Sequence, residues 1–338
     1  MSENLKNVIK LDLKDRKILS ALDENARMSL KEIGKKSGLS KQAADYRIKN
    51  MLKNGVIKKF TTIVDVGRFG YSSYAIYLSL LRTTSEKEKE IINFVVNHPY
   101  TRWVVTSAGK WDMKIGLSAR GINHFNNISK NILDFIGENV ADYDTNVLVS
   151  TQNLGSNFLF KQKERPILNE LHKEIQKIDE KDVKILEALE ENCRSSLIEI
   201  SKKVGLSPDA VNYRLKALLK NGIILRFIPI INIPILGYNW YEIFIDLKRL
   251  SESEEKILKA KLKTISNLHY IVECIGKWNF ELHVCAESNE KFRQVLMDVR
   301  NKLGDYMKSY GITMIFENYK NTTLPKGVID DLLNEMKL

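Results

Sequence analysis

Residues 13–57 read LKDRKILSALDENARMSLKEIGKKSGLSKQAADYRIKNMLKNGVI, and residues 180–224 read EKDVKILEALEENCRSSLIEISKKVGLSPDAVNYRLKALLKNGII. Asp15 recurs as Asp182, and that spacing of 167 residues holds through Gly70 and Gly237, then Gly109-Lys110-Trp111 and Gly276-Lys277-Trp278. It continues through Phe125 and Phe292, Gly137 and Gly304, and Tyr143 and Tyr310. A self-match at one fixed period marks a tandem duplication.

Within the quoted stretch the apolar positions follow a helical period. Ile18, Leu19 and Leu22 share one face, Ser29 and Glu32 have the form of a capping box, and Gly38 turns the chain. Ser40 caps a third helix whose apolar positions Ala44, Ile48, Met51 and Leu52 share one face, ended by Asn54-Gly55. The second copy repeats this with Ser207 as cap and Pro208 at the first helical position. Beyond Gly70 the pattern alternates between strand-like and helical runs. Strands are expected at 74–81, 100–107, 113–118 and 143–149, with helices at 85–97 and 122–136. The second half gives the same order at 241–247, 254–264, 270–274, 280–285, 289–303 and 311–316. That order is βαββαβ, a ferredoxin-like α+β arrangement with two helices on one face of an antiparallel sheet. The implied division is a winged helix-turn-helix at 11–65, a βαββαβ domain at 70–150, a linker at 151–177, a second winged helix-turn-helix at 178–232 and a second βαββαβ domain at 237–320. A C-terminal tail at 321–338 carries Val328, Leu332, Leu333 and Met336 at helical spacing. In the linker, Pro166 followed by LNELHKEIQK predicts a loop leading into a helix.

The chain has 338 residues, a net charge of +11 and 43% hydrophobic residues, enough for several packed cores. No apolar run approaches a membrane span of roughly 20 residues, and the N-terminus lacks a signal-like apolar region. Cys193, Cys274 and Cys285 are odd in number and far apart, as expected of a reducing, cytoplasmic setting. His98, His124, His172, His269 and His283 do not recur at equivalent positions or at metal-ligand spacing, so neither a metal nor a cofactor is expected. A phosphate loop, a nucleophile elbow and paired catalytic carboxylates are all missing from the sequence, which argues against an enzyme.

Charge is segregated along the chain. Residues 14–59 hold thirteen basic against five acidic residues, and 181–226 hold nine against six. The βαββαβ segments are near balance, with eight of each over 71–150 and thirteen against twelve over 238–320. A merely solvated surface would not gather its cations on the helical modules. A short helix pair with a glycine turn and a basic second helix fits a helix-turn-helix that enters the DNA major groove. At about 100° per residue, Gln42, Tyr46, Lys49 and Lys53 lie opposite the apolar stripe, with Lys41 and Asp45 flanking; Ser40 at the cap and Arg47 complete the candidate DNA contacts. Gln can pair with adenine edges, Lys with guanine or phosphate, and Tyr can stack or bond to the backbone. Ile57-Lys58-Lys59-Phe60 reads as a wing adding phosphate contacts through Lys58 and Lys59. The corresponding residues of the second unit are Ser207, Asn212, Tyr213, Arg214, Lys216 and Lys220. There Asp209 replaces Gln42, and its carboxylate repels phosphate, so the first unit is expected to supply more of the salt-dependent affinity.

These features resemble the Lrp/AsnC family of transcription regulators. The resemblance rests on Asp15-x-x-Ile18-Leu19, Asn25-x-Arg27, Gly38-Leu39-Ser40, Arg47-Ile48-Lys49 and Asn54-Gly55-Val56-Ile57, followed by a βαββαβ domain with Gly109-x-x-Asp112, and it covers nearly the whole chain twice. It implies a sequence-specific regulator of double-stranded DNA with a ligand-sensing, dimerising domain. It places a small effector, such as an amino acid, beside Gly109, Trp111 and Asp112 and beside Gly276, Trp278 and Asn279. Asn279 stands where Asp112 does and removes a carboxylate that could hold an ammonium group. Tyr46 and Tyr213 stand where a second basic residue commonly precedes the Arg. Because the family ordinarily pairs separate chains, one fused chain is expected to be its own pseudo-dimer, its two sheets face to face, and to assemble further into homo-oligomers.

For Trp111 and Trp278, a packed interface aromatic competes with a ligand-facing one. For Asp112, an Asx-type bond within its own turn competes with an effector contact. Gly109 and Gly276 suit positive φ. Two rival readings remain: an enzyme resembling siroheme decarboxylases, which pair two Lrp-like units, and a DNA-organising protein without sequence preference.

Overall fold

The computed structural model describes residues 8–155, 159, 167–168 and 174–337. The first repeat opens with α1 (Leu13–Glu24), α2 (Leu30–Ser37) and α3 (Lys41–Lys53), then β1 (Ile57–Val64). It continues with β2 (Ser72–Leu80), α4 (Ser85–Asn97), β3 (Thr101–Gly109), β4 (Met113–Ala119), α5 (Gly121–Ile136) and β5 (Val140–Asn153), followed by the short β6 (Ile167–Leu168). The second repeat runs α6 (Glu180–Glu191), α7 (Leu197–Val204), α8 (Pro208–Lys220), β7 (Ile224–Ile231), β8 (Asn239–Leu247), α9 (Glu252–Leu262), β9 (Leu268–Gly276), β10 (Phe280–Ala286), α10 (Asn289–Leu303) and β11 (Met307–Asn321). A last helix, α11 (Lys326–Glu335), ends the chain. Among the described residues, no helix is long and apolar enough to cross a membrane.

Local chemistry sets the helix starts. Asp12 and Asp15 cap α1 reciprocally, Ser29 and Glu32 do so for α2, and Ser40 accepts the Ala43 N–H to open α3. Such caps stabilise a helix by roughly 0.5–2 kcal/mol each. The apolar stripes of both three-helix units enter one continuous core, in which Ile18, Leu22 and Ile33 meet Leu186, Leu189 and Ile200. Fully buried side chains of this size contribute about 1.5–3 kcal/mol each. Helix α11 adds Val328, Ile329 and Leu332 to that core. It is tied to the first βαββαβ domain by Asp331, which accepts from the Tyr71 and Tyr100 hydroxyls. The tail thus covers a neighbouring surface, as its amphipathic pattern suggests.

One expectation is extended and one is corrected. The wing strand expected at Ile57-Lys58-Lys59-Phe60 forms as β1, and it pairs antiparallel with β7 of the other repeat, Phe60 opposite Pro229 and Thr62 opposite Phe227. The two sheets are more than face to face. Strand β3 pairs with β11 and β5 with β9, so the order β5-β2-β4-β3-β11-β8-β10-β9 closes back on β5 as an eight-stranded barrel. Closure removes the exposed sheet edges that each half would otherwise present. It also explains why β5 and β11 run past the expected ends at 149 and 316: their last residues pair across the repeats. Helices α4 and α5 pack on one outer face, α9 and α10 on the other. The helix expected after Pro166 falls mostly outside the described residues, as does His172. Of that run, Ile167–Leu168 pairs with β5, and residues 174–177 are not helical.

Candidate nucleic-acid interface

Helix α3 buries Ala44, Ile48 and Met51 and turns the opposite face outward; Leu52, expected on the apolar face, lies at its edge and is exposed. Lys41, Gln42, Tyr46, Lys49 and Lys53 are exposed, Tyr46 to 67%, a large value for an aromatic ring with an apolar body. On α8 the same face exposes Tyr213 to 77%, with Lys216 and Lys220 beside it and Asn212 half-buried. Asp45 accepts an ion pair from Lys49 at 2.7 Å. Asn212 in its place leaves Lys216 without that acid one turn back. The Ser40 and Ser207 oxygens accept from the backbone at the helix starts.

Arg47 and Arg214 take a different position from the other basic residues. The Arg47 guanidinium reaches Asp12 at 2.7 Å and Asp15 at 2.8 Å, and Arg214 reaches Asp179 at 2.8 Å and Asp182 at 2.9 Å. Each arginine fastens its recognition helix to the start of the first helix. The backbone N–H of Asp15 and the Arg47 guanidinium hold Asp12 below the usual carboxylate range. Lys58 is exposed, whereas Lys59 is drawn to Glu190 at 3.0 Å.

Sequence reasoning missed what joins the two units. Arg27 Nη1 donates to the carbonyls of Cys193 and Ser195, and its repeat counterpart Arg194 donates to those of Ala26 and Met28. Each guanidinium also lies over an aromatic ring, Phe227 for Arg27 and Phe60 for Arg194. With β1 paired to β7, these reciprocal grips fix the two recognition helices relative to each other. The available signal was the Asn25-x-Arg27 motif itself, a charge directed away from the basic outer face.

The residues expected around the Gly-x-x-Asp turns come together at the barrel seams. Trp111 and Trp278 are buried in its interior with Tyr77 and Phe244. Asp112 is not bonded to its own turn: its Oδ2 accepts the Leu80 N–H at 2.7 Å, and Asn279 Oδ1 accepts the Leu247 N–H at the same distance. An amide performs this task as well as a carboxylate, which accounts for the Asp-to-Asn difference between repeats. Gly109 and Gly276 have positive φ; a Cβ would sit 2.4 Å from the Ile312 carbonyl oxygen at the first, and at the second it would collide with the Asn146 side-chain oxygen and lie 2.9 Å from the Thr145 carbonyl oxygen. The close approach comes from the partner repeat, through backbone at both turns and a side chain at the second.

Inside the barrel lies a cluster that the sequence reading did not anticipate. Lys114, Glu242, Glu281 and His283 are 3%, 1%, 0% and 4% exposed. The Lys114 ammonium bonds both carboxylates, at 3.0 Å to Glu242. Trp240 Nε1 donates to His283 Nδ1 at 3.2 Å, which leaves the proton of the neutral ring on Nε2, facing Glu242 at 3.3 Å. Glu242, Glu281 and His283 form a compact donor set of the kind that holds metals, but Lys114 supplies the compensating charge. Burial pushes Glu242 up to about 7 against the opposing pull of Lys114, and burial drives His283 well below its ordinary value. For Lys114, burial favours the neutral form, but the two carboxylates outweigh it and the net shift is upward.

A pH test follows from Glu242. Its folded value lies above its unfolded one, so the folded state binds the extra proton between about pH 4.5 and 7. Stability contributed by that proton is present below this window and lost as pH rises through it. His283 acts with the opposite sign on the acid side, so the comparison must isolate Glu242. The Tm of Glu242→Gln minus that of wild type is expected to grow more positive from pH 5 to pH 8. A flat difference would refute the assignment.

Known proteins agree with this architecture. The winged helix-turn-helix DNA-binding family matches residues 11–58 and 178–224. The HTH-type transcriptional regulator FL11 of Pyrococcus horikoshii is 32% identical over 129 residues, 38% of this chain and 82% of that protein. The transcriptional regulator AzlB of Bacillus subtilis is 32% identical over 147 residues, 43% of this chain and 92% of that protein. The chain belongs to the Lrp/AsnC family. As a tandem Lrp/AsnC chain it holds two family units in one polypeptide. The siroheme decarboxylase NirDL superposes on 96% of this chain and all of its own, with a TM-score of 0.62 and 12% identity. At that identity the likeness concerns the fold alone, and it shows that an enzyme is built on the same duplicated architecture.

Proposed function

We propose that this chain is a cytoplasmic, non-enzymatic, sequence-specific transcriptional regulator that places two unlike readers, α3 and α8, on double-stranded DNA. The reading rests on one observation: two exposed polar recognition faces, each bearing a solvent-facing tyrosine and lysines, are locked together by Arg27, Arg194 and the β1–β7 pair. Gln42, Tyr46, Asn212 and Tyr213 face the bases, and Lys49 and Lys216 reach both base edges and the flanking phosphates. Ser40, Lys41, Lys53, Lys58, Ser207 and Lys220 meet phosphate, and Arg47 and Arg214 hold the helices in position. Readers fixed in this way read two half-sites at a set spacing.

The barrel is the sensing part of this proposal. The indole N–H groups of Trp111 and Trp278 are buried without an acceptor among the described residues. A cavity of about 400 Å³ beside Asn279 is lined by Lys248, Arg249 and Lys308 and also by Glu255 and Glu273, charges of both signs that suit the carboxylate and the ammonium group of an amino-acid effector. Binding there would act by favouring one placement of the barrel beneath the readers.

Binding-site selection from random DNA, repeated with and without a mixture of amino acids and read together with solution mass, tests the whole reading. Two different half-sites at fixed spacing are the expected result, with an affinity that changes when the effector is present. Recovery of random sequence would sink the regulator in favour of a DNA-organising protein, and an absorbance change on mixing with siroheme would favour the enzyme. Unchanged affinity across the amino acids would remove the sensing role alone.

A further inference from the structure

The barrel interior is where the two repeats, otherwise so alike, carry opposite chemistry. Lys114 and Glu281 occupy the same position one repeat apart, and they meet each other inside the barrel. Tyr77 is the register partner of Lys114, and Phe244 is the register partner of Glu281. The Tyr77 hydroxyl donates to Glu281 across the barrel, so the phenol stands in the repeat whose partner offers an acceptor. One layer along, the register partners Ala75 and Gly116 in the first repeat are matched by Glu242 and His283 in the second. Small side chains in one repeat thus answer large ones in the other, and a cation answers two carboxylates. His283 also packs against Trp103 of the first repeat, with ring centres 5.6 Å apart.

We propose that this asymmetry is a pairing code: the inner face of the first βαββαβ domain fits that of the second and rejects a second copy of itself. Pairing two first domains would bury two Lys114 ammonium groups without a carboxylate and set Ala75 and Gly116 against their own kind. Pairing two second domains would bury four carboxylates with no lysine. An unpaired buried charge is among the largest penalties a fold can incur. Selectivity arises because the wrong pairs are repelled as well as the right one attracted. The linker raises the effective concentration of the correct partner but does not exclude exchange with another chain. The interior charges therefore keep α3 beside α8, so that every DNA-binding unit has two unlike readers.

Charge exchange between two chains tests this. One chain carries Lys114→Glu with Val147→Cys, and the other carries Glu281→Lys with Ile275→Cys, Val147 and Ile275 being register partners on β5 and β9. Within the Lys114→Glu chain, pairing buries three carboxylates with no cation, and within the Glu281→Lys chain it leaves two lysines to share Glu242, whereas exchange restores one lysine to two carboxylates in both barrels. After co-expression and oxidation, a disulfide-linked pair of chains is expected at roughly a hundredfold enrichment over the same cysteines in chains of unaltered charge. A single chain carrying both Lys114→Glu and Glu281→Lys is expected to recover most of the Tm that either change alone removes. If the linked pair is no more abundant than in the unaltered background, or the double exchange is no more stable than the single changes, the pairing code is overturned.

Discussion

Replacing Lys114 with methionine is expected to cost about 3–5 kcal/mol of stability, seen as a fall in the urea midpoint at pH 7.5. Methionine fills much the same volume, so the loss is one of charge and hydrogen bonding more than of packing. Glu242 and Glu281 would be left facing each other inside the barrel with no cation between them. The Tyr77 hydroxyl and the Cys274 thiol, donating to Glu281, and the His283 Nε2–H, facing Glu242, would remain as neutral donors. Neutralising the cluster as a whole, with Lys114→Met, Glu242→Gln and Glu281→Met together, should restore most of the loss. A buried ion pair is costly to break but not costly to replace. A Lys114→Met chain within about 1 kcal/mol of wild type would mean that water reaches the cluster and would refute the buried-charge account.

The contrast between repeats also shows what a sequence discloses and what it withholds. The helices of both readers are legible because capping and apolar period act over three or four residues, as Ser29 with Glu32 and Ile18 with Leu22 illustrate. The order of strands is legible for the same reason. The partner of β1 is not, since Phe60 meets Pro229 from the other end of the duplication and nothing local names it. A basic run such as Lys58-Lys59 is therefore legible as a wing strand, but its pairing with β7 is not. Asp112 misleads for a related reason: the group that needs it, the Leu80 N–H, belongs to a neighbouring strand. A usable trace of the interior cluster was present, however. Lys114 and Glu281 are opposite charges at equivalent inward positions of strands that otherwise read MKIGLS and FELHVC. Two buried charges of opposite sign at the same place in a repeat are most simply reconciled by meeting each other.

The second large effect is expected on DNA. Removing the outward side chains of α3 together, as Gln42→Ala with Tyr46→Ala and Lys49→Ala, should weaken binding to the selected site by about two to three orders of magnitude. A good base contact is worth roughly 1–3 kcal/mol, and each neutralised phosphate contact lowers the salt slope by about one. Because these side chains are exposed, stability should change by no more than about 0.5 kcal/mol. The ion pair from Lys49 to Asp45 does not protect the complex, since an exposed pair of this kind is worth only about 0.3–0.5 kcal/mol and yields to phosphate. The matching change in α8, Asn212→Ala with Tyr213→Ala and Lys216→Ala, should cost less and alter the salt slope less. Asp209 at the start of α8 repels the nearby phosphates where the neutral Gln42 of α3 does not, and the surrounding segment carries a smaller excess of positive charge. The measurement is affinity against salt concentration for each variant on the two-half-site DNA. Equal losses from α3 and α8 would show that the readers contribute alike, and the inequality drawn from Asp209 would then be wrong.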